Sequence, residues 1–71
     1  MRTWIPLTKF QIKLKSRYET KEEILELLEI SRPTLDRLMR EEYRFLPFLS
    51  ILSRDMKIQS TELFNLINNS I

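Results

Sequence analysis

Residues Thr20 to Arg40 read TKEEILELLEISRPTLDRLMR, and this stretch decides the fold. Thr20 followed by Glu23 is a capping box: the hydroxyl accepts from the third backbone N–H, and the carboxylate reaches back to the cap residue. The apolar run Ile24, Leu25, Leu27, Leu28 follows directly, so a helix begins here. Ile30 then precedes Ser31, a good N-cap. Pro33 is tolerated in a first helical turn, and Leu35, Leu38 and Met39 are spaced to face inward, which predicts a second helix to about Arg40.

Upstream, Trp4, Leu7, Phe10 and Leu14 recur at near-helical spacing behind Pro6, predicting a helix over 6–17. Phe10, Ile12 and Leu14 also alternate with Gln11, Lys13 and Lys15, a period of two that equally suits a half-buried strand over residues 9–15. Helix formers dominate, so the helix is kept. Downstream, Glu41 to Arg44 are polar, and Leu46, Leu49, Leu52, Ser53 and Met56 carry the pattern of a further helix, with Pro47 in its first turn. Ser60 is placed to cap a last helix through Leu63, Phe64, Leu66 and Ile67, with Asn68, Asn69 and Ser70 as its fraying end. The expected fold is all-α, a small five-helix bundle in a single domain over residues 1–71. Trp4, Phe10, Phe45, Phe48 and Phe64 are expected in the core, with Trp4 and Tyr43 partly exposed.

Composition narrows the function. The chain has 71 residues, 42% of them hydrophobic and 31% charged, enough apolar surface for one core and none for a second lobe. It has no cysteine, histidine or glycine. Disulfides, nitrogen- or sulfur-ligated zinc, the common nucleophile–base pairs and glycine-rich phosphate loops are thereby excluded. The remaining carboxylates lack apolar walls that would retune a pKa, so the expectation is a protein that is not an enzyme, without metal, cofactor or small-molecule substrate. Apolar runs are far too short for a membrane span and no signal peptide is evident, so a cytoplasmic location is expected. The net charge of +2 is too small to argue for nucleic acid by itself.

Two helices joined by a short turn, the second introduced by an apolar-Ser-Arg step, meet the requirement of a helix-turn-helix, in which the first helix props the second for a groove. The stretch Thr20–Arg40 resembles the helix-turn-helix of the phage repressor and Cro family. The segment LPFLSILSRDMKIQSTELFNLI resembles that family's closing pair of helices, with Leu46, Leu49, Leu52, Ser53, Met56, Ile58, Leu63 and Leu66 at core positions. The resemblance covers Thr20 to Ile67. It implies a small transcription regulator that binds double-stranded operator DNA as a dimer. It places Arg32, Pro33, Thr34, Asp36, Arg37 and Arg40 on the exposed side of the recognition helix, and Lys21 near a phosphate. Arginine suits guanine edges and phosphates because its guanidinium offers paired donors and a permanent charge. Arg2, Lys9, Lys13, Lys15 and Arg17 are candidates for further backbone contacts. The alternative for this charged stripe is a solvated face with ion pairs to Asp36 or Glu41.

Three departures from the family pattern open a second function class. Glu22, Glu23, Glu26 and Glu29 against Lys21 leave the first helix of the motif with a charge of −3, although this helix normally crosses the phosphate backbone. Pro33 stands where a base-reading side chain is usual, and Asp36 only accepts hydrogen bonds. Leu25 replaces a small alanine, Leu27 a polar residue and Glu29 a glycine. An anti-repressor or modulator of repressor would use Glu22, Glu23, Glu26, Leu27 and Arg37 to dock onto a partner repressor or replication protein, with little DNA affinity of its own. Leu27 is equally explained by packing, and a homodimer through the exposed parts of the last helix competes with Leu63, Phe64 and Ile67 being core.

Overall fold

A computed structural model describes residues 4–69, the side chain of Asn69 excepted; Arg2 and Ser70 lie outside the described residues. The chain is all-helical: α1 Lys9–Arg17, α2 Lys21–Leu28, α3 Arg32–Arg40, a 3-10 segment Glu42–Phe48, α4 Leu49–Met56 and α5 Ser60–Asn69. No strand occurs among the described residues.

The strand-like alternation in α1 resolves as a helix. Phe10 and Leu14, four apart, are buried while Ile12 is 57% exposed, whereas a strand would have turned all three to one face. The helix starts later than the expected residue 6. Thr8 is its N-cap, with Oγ1 accepting from the Gln11 backbone N–H at 3.2 Å. Pro6 and Leu7 therefore precede the helix, and Leu7, expected on its inner face, is 82% exposed. Trp4 is half-buried, its indole N–H donating to the Tyr18 carbonyl at 3.3 Å. The Tyr18 phenol is pushed up from its ordinary 10.0 by burial first and by its hydrogen bond to Asp55 second, so it stays a donor.

The capping box at α2 is present, and the backbone N–H of Thr20 donates to Glu23 Oε2 at 3.1 Å. Each later helix buries residues on one stripe: Ile24 and Leu28, Leu35 and Leu38, Leu52, then Leu63 and Ile67. These pack with Phe10, Leu14, Tyr18 and Phe45 into one core, where the Phe10 and Phe45 rings meet edge to face at 5.0 Å.

The expected helix from Leu46 divides in two. Pro47 has no N–H to return to the carbonyl four residues back and disfavours the α conformation at Leu46, so tight turns run to Phe48 and α4 begins only at Leu49. The Arg44 N–H donates to the Glu41 carbonyl at 2.9 Å. In this geometry Phe45 points into the core while Leu46, expected inside, is 38% exposed. Phe64 is also turned outward, 44% exposed, and Phe48 is half-buried. Ser60 is the first residue of α5 rather than its cap.

Without glycine, two helices end on residues carrying a Cβ in the left-handed region: Glu29 (φ 55°) after α2 and Lys57 (φ 59°) after α4. In each case the next residue closes the turn, Ile30 N–H to the Leu25 carbonyl at 3.2 Å and Ile58 N–H to the Ser53 carbonyl at 3.1 Å. A left-handed residue with a Cβ costs about 1–2 kcal/mol, partly offset by the freedom glycine adds to the unfolded chain. Glu29→Gly and Lys57→Gly should therefore each raise the melting temperature by about 2–6 °C. A lower melting temperature in both variants would contradict this account of the turns.

Candidate nucleic-acid interface

Leu28 ends α2 and Arg32 starts α3, so Glu29, Ile30 and Ser31 form the whole turn between these two helices. The left-handed Glu29 reverses the chain, Ile30 is half-buried against the core, and Ser31 takes the extended conformation of an N-cap. Its hydroxyl makes a 2.9 Å contact with the Thr34 hydroxyl rather than capping the helix. Pro33 falls in the first turn, where a missing N–H is harmless.

Leu35 and Leu38 face the core, and this places Arg32, Pro33, Thr34, Asp36, Arg37 and Arg40 all in solvent. The far end of α3 is anchored from α1. Gln11 Nε2 donates to the Met39 carbonyl at 3.1 Å and to Glu42 Oε2 at 2.9 Å, and the Thr8 hydroxyl donates to the same carboxylate oxygen. Gln11 and Glu42 are both buried, and Glu42 Oε1 has no hydrogen-bond partner. Nothing in the sequence marked this network, since glutamine and glutamate in polar stretches read as solvated.

Cross-helix ion pairs sort the charged candidates. Arg32 Nη1 donates to Glu22 Oε2 at 2.5 Å, and this guanidinium holds the Glu22 carboxyl below its ordinary range. Lys21 Nζ stands 3.7 Å from Asp36 Oδ1. Both pairs join α2 to α3 across the turn, and Asp36, an unfavourable neighbour for phosphate, is met by a cation. Arg37 and Arg40 make no ion pair among the described residues and keep their full donor capacity for a ligand.

Directly after α3, the 3-10 segment adds exposed Tyr43 and Arg44, the guanidinium 5.6 Å from the centre of the ring. Both donate to Glu41, Tyr43 Oη at 3.1 Å and Arg44 Nε at 2.9 Å; these bonds, Arg44's first, hold the Glu41 carboxyl below its ordinary range. The sequence reading passed over Arg44 as part of a polar stretch, although it adds an exposed cation directly after α3. On the other flank, Trp4, Ile5, Leu7, Met39, Lys21 and Arg40 line a shallow groove between the N-terminal segment and the helix pair.

Of the residues of the second reading, Glu23, Glu26 and Leu27 border one shallow hollow. Glu22 is held by Arg32, Glu23 caps α2, and Glu26 is exposed, while Leu27 is half-buried against the core. Among the described residues no helix is long and apolar enough to cross a membrane, and no acidic group is gathered to hold a metal ion. Comparison with protein-family models, with curated proteins and with solved structures gives no match for this chain.

Proposed function

We propose that this chain is a small transcription regulator of the phage or mobile-element type, cytoplasmic and without catalytic activity, that binds operator DNA with α3 in the major groove. The observation that supports this most is the exposed face of α3, on which Arg37 and Arg40 carry guanidinium groups that make no ion pair among the described residues, beside the hydroxyls of Ser31 and Thr34. Lys21, Arg32 and Arg44 stand around this face as phosphate-contacting cations whose partners Asp36, Glu22 and Glu41 exchange against phosphate. The ion pairs that link α2 to α3 fix the reading helix against its support before DNA arrives.

A second reading, an anti-repressor or modulator docking through α2, draws support from the exposed carboxylates of Glu26 and Glu29. It is weakened by the position of Leu27, which is half-buried against the core and lines a hollow instead of crowning an outer ridge.

The test is a titration of the purified chain against DNA from its own genomic neighbourhood across a range of salt. A binder making four or five phosphate contacts should show a log–log salt slope of about −4. Sequence-selective, salt-steep binding supports the operator reading. Binding to no fragment at low salt moves the assignment to the modulator.

A further inference from the structure

Away from α3, a seam runs where the end of α1 meets α2 and α4. Leu27 and Ile51 share a shallow hollow with Arg17, Arg54, Asp55 and Lys57. A second hollow abuts it across Arg17, Leu27 and Asp55 and is bounded on its far side by Tyr18, Glu23 and Glu26. Ile51 is 40% exposed there, an aliphatic side chain the core does not use.

The charges on this surface are segregated. Arg17 and Asp55 pair at 3.3 Å, and the Tyr18 hydroxyl donates to Asp55, so the middle of the seam is neutral. On the α2 side stands Glu26, with Glu29 one turn further along; on the α4 side stand Arg54 and Lys57. None of these four makes an ion pair among the described residues, although most other exposed charges on α2 and α4 are tied to a partner or a cap. The surface therefore carries an acidic edge, a neutral middle of Leu27, Ile51 and the closed Arg17–Asp55 pair, and a basic edge.

Such a patch complements itself. Turning a copy by a half rotation about an axis through Leu27 and Ile51 sets each acidic edge over a basic edge and lays neutral middle on neutral middle. We infer that this seam is an interface for a second copy of the chain, an isologous contact in which Glu26 of one protomer faces Arg54 and Lys57 of the other. No residue of α3 lines it, so the inference does not rest on the DNA reading. The contact is small and electrostatic, at the low end of specific interfaces, so monomer and dimer exchange with concentration and salt.

A two-fold contact has a diagnostic that other interfaces lack. Glu26→Arg and Arg54→Glu each bring like charges together twice and should weaken association about tenfold or more by sedimentation at low salt. Mixed in equal amounts, the two variants restore opposite charge at both positions, and the mixture should associate within about threefold of the parent. Both substitutions are on the surface, and matching thermal melts establish that the variants are folded. A parent that stays monomeric up to roughly millimolar concentration overturns the inference. So do charge reversals that leave association unchanged, a mixture that fails to recover, and a dimer abolished by Phe64→Ala but indifferent to the reversals, which would put the contact on α5.

Discussion

On the proposed operator reading, replacing Arg37 and Arg40 together by alanine should lower DNA affinity by about two orders of magnitude or more, with no loss of folding. A bidentate arginine–guanine contact contributes about 1–3 kcal/mol of discrimination, and about 1.4 kcal/mol is a tenfold change. Arg37 and Arg40 are the arginines of α3 that are exposed and make no ion pair among the described residues. Removing a phosphate contact should also flatten the salt slope by about 0.9 for each one lost, which separates a base reader from a backbone contact. Arg32→Ala should cost less, because Arg32 must leave Glu22 to reach DNA. Glu22→Gln should act in the opposite direction and tighten binding, since it frees Arg32 and removes an acid facing phosphate. Equal affinities for parent and double variant, measured by fluorescence anisotropy at fixed salt, would show that α3 is not the reader.

The parts of this site legible in the sequence are those set by local chemistry. The capping box at Thr20 and Glu23, the Ser31–Pro33 start of α3 and the inward spacing of Leu35 and Leu38 depend on residues a turn apart, and the structure carries all of them. The exposure of Arg37 and Arg40 was expected from the resemblance, and the inward spacing of Leu35 and Leu38 agrees with it. The left-handed turn at Glu29 was also foreseeable, because a helix-turn-helix with three turn residues needs one. What the sequence does not carry is any relation that depends on how helices cross. Lys21–Asp36 and Arg32–Glu22 join residues 15 and 10 apart, and only the angle between α2 and α3 brings them together. The same holds for Leu27, which a helical wheel places outward and the fold leaves half-buried against the core. The 3-10 segment was missed for another reason: the apolar spacing around Leu46 and Leu49 suits an α-helix, and only the proline geometry tells that the regular helix waits until Leu49.

That segment is also where the largest stability loss is expected. Phe45→Ala should leave the chain mostly unfolded at 25 °C. Phe45 is fully buried and its ring packs edge to face on Phe10, at 5.0 Å and 63°, so the substitution deletes an aromatic contact as well as a side-chain volume. Truncations of this kind cost about 3–5 kcal/mol, and the single core of a domain this small supplies a net stability of about the same size. The backbone around it offers no slack, because the Pro47 turn fixes Phe45 between the end of α3 and the start of α4. Tyr43→Ala, two residues away on the solvent side, is the control: its ring is 48% exposed and its loss should change stability by about 0.5 kcal/mol or less. Phe45→Leu keeps most of the volume and should cost about 1.5 kcal/mol, leaving a folded chain whose DNA affinity can be compared with the parent. Urea titration followed by circular dichroism measures all three. If Phe45→Ala unfolds at the same midpoint as the parent, the 3-10 segment is not part of the core, and the anchoring of the C-terminal end of α3 must come from the Gln11–Glu42 network alone.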